Sequence, residues 1–287
     1  MTLILNDESM RGQFDNMPDF LRYLHDELLK VLRDMEQDND LIYKSEMMFG
    51  RMVTGEDNLY SLMTKSGHPE ITLLKRYLVQ LFSEPFWETD SVYDESTEYY
   101  CDEILQTGRN CYTEAIDRQA DIWVFKNPDE IFHDQVVGRN SNKEWIIYQT
   151  GDYRSFLRVL VRRDQTRLPV VLERHPFVND FAIRLSDEAQ SSLTNISMTD
   201  KDIDKLITNI DTMIDDRLNG RKSHYWAPFI PEADEYRLSI SDGRELRIYY
   251  IWGKTITFLM GYIKKTQETP QSVRKQVGKI AKKYGKD

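Results

Sequence analysis

Apolar positions recur along this chain at two periods, and each period predicts its own kind of element. Phe20, Leu21, Leu24, Leu28, Val31, Leu32 and Met35 follow one another at helical spacing, which predicts an amphipathic helix to about Met35. Asn16 can cap that helix, with Pro18 inside its first turn. After the break at Gly67-His68-Pro69, the residues Ile71, Leu74, Tyr77, Leu78, Leu81 and Phe82 mark a second helix that ends near Pro85. Residues 41–64 fit neither period. Residues 86–108 are acidic and aromatic and read as loop. Residues 121–125, 144–149 and 168–172 read as strands, with helical stretches at 128–133 and 153–161.

The second half is patterned more sharply. FAIRL, residues 181–185, alternates as a strand does, and Ser186 opens a short helix through Leu193. Thr199 with Asp202 three residues on makes a capping box. Ile203, Leu206, Ile207, Ile210, Met213, Ile214 and Leu218 then form one stripe, which Gly220 ends. Three alternating runs follow, separated by Ser241-Asp242-Gly243 and Trp252-Gly253-Lys254, and they predict an antiparallel meander. In the middle run Leu246, Ile248 and Tyr250 face one way, and Arg247, Tyr249 and Ile251 the other. The apolar face is expected to pack on the capped helix. The opposite face mixes arginine, tyrosine and hydroxyls. Thr269 and Pro270 open a last helix with apolar positions Val273, Val277, Ile280, Ala281 and Tyr284. The fold class is therefore α+β. A boundary at His175-Pro176 separates an N-terminal α+β domain, residues 1–175, from a C-terminal domain, residues 178–287.

Charge sharpens that division. The chain of 287 residues carries −10, yet residues 244–287 hold 11 Lys+Arg against 3 Asp+Glu. The first 177 residues carry −12 and the remainder +2, so the halves suit different partners. An acidic first half could shield the basic face of the second, a contact that salt weakens. Hydrophobic content of 40% fits a globular chain. No run of 18 apolar residues predicts a membrane span, and the N-terminus lacks the features of a signal peptide. The two cysteines, Cys101 and Cys111, have no metal-type spacing and fit a reduced cytoplasm. No cofactor and no metal site are read from the sequence.

The order strand, two helices, antiparallel strands and basic helix resembles the RelE/HigB family of bacterial toxins. The stretches that carry the resemblance are FAIRLSDEAQSSL, YRLSISDGRELRIYY and FLMGYIKKTQETP. They lie within residues 178–287, about the last 110. The resemblance implies an endoribonuclease that cuts mRNA on the ribosome, in a toxin–antitoxin or phage-defence setting, with an antitoxin protein as partner. A ParE-like branch of the same fold instead inhibits gyrase, so a non-catalytic binding module or regulator is the alternative.

Metal-free RNA cleavage by the 2′-OH needs cations on the phosphate oxygens, a proton acceptor and a proton donor. Arg247 matches the family's strand arginine and can fork to phosphate. Arg237 lies on the neighbouring strand at a polar-face position, and Lys264-Lys265 fall where the family keeps a basic pair. Tyr249 and Tyr262 are candidates to stack on a base. Lys275, on the basic last helix, and His224, in SHYW, complete the expected RNA contacts, and imidazole titrates near neutrality. The sequence departs from some RelE-type members in having no tyrosine at the start of the last helix. Only Tyr284 and Asp287 stand near the C-terminus, where HigB-like members often place His or Asp.

Overall fold

The N-terminal run Leu3-Ile4-Leu5 forms a strand, β1 (Thr2–Asn6), and all three side chains are fully buried. A strand covered on both faces needs no alternation, so this run carries no strand period. The computed structural model describes residues 1–64, 72, 85–90, 92–125, 135–264 and 269–285. Among the described residues the protein is α+β with a seven-stranded and a five-stranded sheet. By contacts it divides into two compact units, Met1–Phe156 and Leu157–Asp287. No helix among the described residues is long and apolar enough to cross a membrane.

In the first unit, β1 runs parallel to β2 (Leu41–Tyr43) on one side and to β5 (Asp121–Val124) on the other. β7 (Glu144–Thr150) continues the parallel set, and β6 (Gln135–Arg139), β3 (Tyr99–Cys101) and β4 (Ile104–Gln106) extend it antiparallel. Residues 86–108 are thus not loop throughout, since they supply β3 and β4. Asn16 caps α1 (Met17–Tyr23) through Asp19 N at 3.0 Å. A π-helical turn, Leu24–Leu28, leads on to α2 (Leu29–Gln37). The Tyr23 ring lies 6.5 Å from Trp123 and 6.1 Å from Phe125, on one face of the sheet. After α3 (Leu59–Thr64), the helix α4 (Cys111–Arg118) packs Ala115 and Ile116 against Ile4, Ile122, Val124 and Ile147. Gly138 permits this approach, because a Cβ there would stand 2.6 Å from Ile116. The helices expected at 71–82 and 128–133 lie outside the described residues apart from Thr72.

The division falls inside α5 (Tyr153–Arg163), ahead of the expected boundary at His175-Pro176. The intervening residues are tied into the second unit. Arg162 pairs with Asp204 at 2.6 Å, and Glu173 accepts the Leu185 amide at 2.9 Å. Residues 168–172, read as a strand, are helical: α6 spans Leu168–Arg174. A five-residue apolar run cannot separate helix from strand by period, and Pro169 in the first turn favours the helix.

The second unit then places β8 (Ile183–Leu185), α7 (Asp187–Thr194) and α8 (Asp200–Leu218) ahead of its antiparallel strands. These are β9 (Trp226–Ile230), β10 (Ala233–Ser239), β11 (Glu245–Trp252) and β12 (Ile256–Lys264). The sheet order is β8-β12-β11-β10-β9, with β8 parallel to β12. β9 adds a fourth antiparallel strand to the expected three. Gly243, at φ +80, closes the β10–β11 turn. Tyr236, Leu238, Leu246, Ile248, Tyr250 and Phe258 fill the apolar face.

Helix α8 is fastened to that face at both ends. At its C-terminal end the Arg217 guanidinium lies 4.6 Å from the Trp226 ring and 4.7 Å from the Trp252 ring, and pairs with Asp234 at 2.6 Å. At its start Asp202 completes the capping box with Thr199 and accepts the Ser241 amide at 2.9 Å and hydroxyl at 2.8 Å. Burial opposes ionisation of Asp202, but the Thr199 and Ser241 hydrogen bonds outweigh it and hold the carboxyl below its usual range. We expect Asp202→Ala to cost about 2–3 kcal/mol, as a cap plus hydrogen bonds to a charged group. A depressed carboxyl contributes above its unfolded pKa and loses that contribution as pH falls through the folded one. The stability gap between wild type and Asp202→Asn should therefore narrow below about pH 4 in denaturant titrations.

Candidate functional site

Strand alternation and register place the expected cations in a grid on the second face of the β10–β12 sheet. Ser239, Glu245 and Lys264 form one row across the three strands. Arg237, Arg247 and Tyr262 form the next, and Glu235, Tyr249 and Met260 the third. Two arginines directly opposite each other repel. The buried Glu235 answers this. Its Oε1 accepts from Arg237 Nε at 2.7 Å and also from Nη2, and its Oε2 accepts from Arg247 Nη1 at 3.0 Å. Glu245 accepts from Arg247 Nε at 2.7 Å. Charges therefore alternate through Arg237, Glu235, Arg247, Glu245 and Lys264.

Exposure decides which of these groups can meet a ligand. The Glu235 side chain is 3% exposed and that of Arg247 9%, against 45% for Arg237. Lys264 and Glu245 lie between, at 21% and 33%. Arg247 spends Nε on Glu245 and Nη1 on Glu235 and on Thr269 Oγ1, the last at 2.9 Å. Among the described residues, Arg247 Nη2 and Arg237 Nη1 donate to nothing. Lys264 Nζ stands 3.7 Å from Glu245, beyond a hydrogen bond. Among the described residues these three donors are thus uncommitted. Burial opposes ionisation of Glu245, but Arg247 and the charges of Lys264 and Arg237 outweigh it and hold its carboxyl below the usual range. Burial likewise opposes the charge on Arg247, and Glu245 and Glu235 more than restore it.

The last helix, α9 (Gln271–Tyr284), changes the expected picture of this face. Its stripe Val273, Val277, Ile280 and Ala281 packs on Tyr249, Leu259 and Met260, with Tyr262 and Tyr284 at the margin. Tyr249 is fully buried, so its ring is not offered to a base in this conformation. Burial also raises the pKa of its hydroxyl. Tyr262 is partly buried beside the cluster, across the β11–β12 ladder from Arg247. Lys275 is exposed on the outer side of α9. His224 is exposed, 4.1 Å from the Tyr225 ring and ahead of β9, outside the grid. Lys265 and Asp287 lie outside the described residues.

Two carboxylates and a hydroxyl join the site without having been expected: Glu235, Glu245 and Thr269. The sequence carries a sign of the first two. E-x-R occurs twice, as Glu235-Tyr236-Arg237 and Glu245-Leu246-Arg247, and a spacing of two puts both charges on one strand face. Among the described residues no group of three or more His, Cys, Asp or Glu is placed to hold a metal ion. Cys101 and Cys111 are unpaired and buried in the first unit, and burial raises both thiols, Cys101 to about 12. The site's chemistry is that of a fork for a planar or tetrahedral anion, with an ionised carboxylate alongside. No family model, curated protein or solved structure matches the chain.

Proposed function

We propose that the second unit is a toxin-type endoribonuclease that cuts mRNA on the ribosome by attack of the RNA's own 2′-OH. The observation that supports this most is the gathering of Arg237, Arg247 and Lys264, each with an uncommitted N–H, around the ionised Glu245. In this reading Arg237 Nη1 and Arg247 Nη2 hold the non-bridging phosphate oxygens. Glu245 accepts the 2′ proton as the 2′ oxygen bonds to phosphorus. The P–O5′ bond breaks, and Lys264 gives a proton to the departing 5′ oxygen. The products are a 2′,3′-cyclic phosphate and a 5′-hydroxyl. The RelE/HigB resemblance from which this reading starts rests on the stretches FAIRLSDEAQSSL, YRLSISDGRELRIYY and FLMGYIKKTQETP. The same reading gives the protein a cytoplasmic setting and an antitoxin partner.

A second reading draws on one specific feature. Internal carboxylates occupy Nε and Nη1 of Arg247, and Tyr249 is buried under α9, as suits a binding module that inhibits another protein such as gyrase. Expression of the full chain separates the two. Fresh mRNA 5′ ends support the nuclease; DNA damage with intact mRNA supports the binding module.

A further inference from the structure

We propose that Glu235 is a resident anion of the phosphate site and sets how much negative charge a ligand must bring to enter it. The identity of the ligand as RNA rests on the proposed function, whereas the anion site itself rests on geometry alone.

Two guanidiniums that converge on one anion are an arrangement by which proteins grip a phosphate group. Here the chain supplies the anion itself. Glu235 stands two residues before Arg237 on β10 and diagonally across from Arg247 on β11, so both forks converge on it. With 3% of its side chain exposed, Glu235 cannot turn out to water, while Arg237, at 45%, can swing. A phosphate that meets Arg237 Nη1 and Arg247 Nη2 therefore sits close to a fixed negative charge, and like charges in contact lower affinity. An isolated phosphate is disfavoured. A strand with successive phosphates also reaches Lys264, beside Glu245 in the next row, and gains enough to enter. Glu235 thereby selects an extended polyanion over a small one, and each arginine keeps its posture while the site is empty.

The test measures binding to full-length wild type and Glu235→Gln by isothermal titration. One arm uses inorganic pyrophosphate, the other a 2′-O-methyl RNA oligonucleotide that cannot be cut. Removal of the charge should tighten pyrophosphate binding about tenfold at moderate salt, and RNA binding by less. Tighter pyrophosphate without any RNA binding supports the resident anion and removes RNA as the ligand. No gain for either ligand, in a variant whose circular dichroism and melting match wild type, overturns the proposal. If Glu235→Gln does not fold, the wild type still decides. The ¹³C carboxyl resonance of Glu235 should move in step with pyrophosphate saturation, and a resonance that stays fixed overturns the proposal.

Discussion

Arg247→Ala should lower the proposed ribosome-dependent mRNA cleavage about a hundred- to a thousandfold, the usual loss when a donor aimed at transition-state charge is removed. Its uncommitted Nη2 is the cation held most rigidly in the grid, since Glu245, Glu235 and Thr269 fix the rest of the guanidinium. The substitution also leaves the buried Glu235 with one fork instead of two. Breaking a buried pair costs about 3–5 kcal/mol, so loss of fold must be separated from loss of chemistry. Arg247→Lys does this. It keeps the charge but loses the planar fork, and cannot serve Glu235, Glu245 and a phosphate together. A lysine variant that melts like wild type and yet loses most of kcat, with KM little changed, assigns the arginine to the transition state. Near wild-type cleavage by the lysine variant would remove the fork from the mechanism.

In the first unit, Glu114→Ala should cost about 3–5 kcal/mol, enough to unfold much of a marginal unit. Glu114 on α4 is fully buried, and accepts from Arg109 Nε at 2.6 Å and Arg118 Nε at 2.9 Å. Arg118 in turn lies 3.8 Å over the Tyr43 ring and reaches Asp90. Tyr43 ends β2 and donates to Asp90 at 3.0 Å, so one carboxylate links α4, a sheet edge and the segment around residue 90. Alanine takes the carboxylate that Arg109 pairs with, leaves Arg118 with Asp90 alone, and opens a cavity between the two guanidiniums. Glu114→Gln retains an acceptor and should lose roughly half as much. Denaturant titration of the full chain checks both; a loss below about 1 kcal/mol for alanine would show that water or other carboxylates replace Glu114 readily.

The sequence disclosed those features whose causes are local. Thr199, Asp202 and the stripe Ile203 to Leu218 define α8 within a single helix, and the structure places its start at Asp200. Alternation about Gly243 likewise made β10 and β11 legible, and with them the shared face of Arg237, Arg247 and Lys264. β1 was not legible, because a strand buried on both faces is defined by neighbours from residues 41–43 and 121–124. Neither was the burial of Tyr249. Alternation says which way a ring points but not what lies above it. The stripe Val273, Val277, Ile280 and Ala281 needed an apolar partner, and with α7 and α8 on one face of the sheet, α9 covers the other. The role of Glu235 was hidden for a different reason. A buried carboxylate beside a tyrosine reads as a solvated strand position until the register brings two arginines onto it.

The chemistry of the cut ends tests the central proposal most directly. The purified full chain would be incubated with translating ribosomes, and the ends of the cleaved mRNA sequenced and typed. The proposed reaction yields a 2′,3′-cyclic phosphate on one fragment and a 5′-hydroxyl on the next, in wild type but not in Arg247→Lys or Lys264→Ala. Cuts that carry 5′-phosphates, or no cuts above background by a fully folded chain, would contradict it.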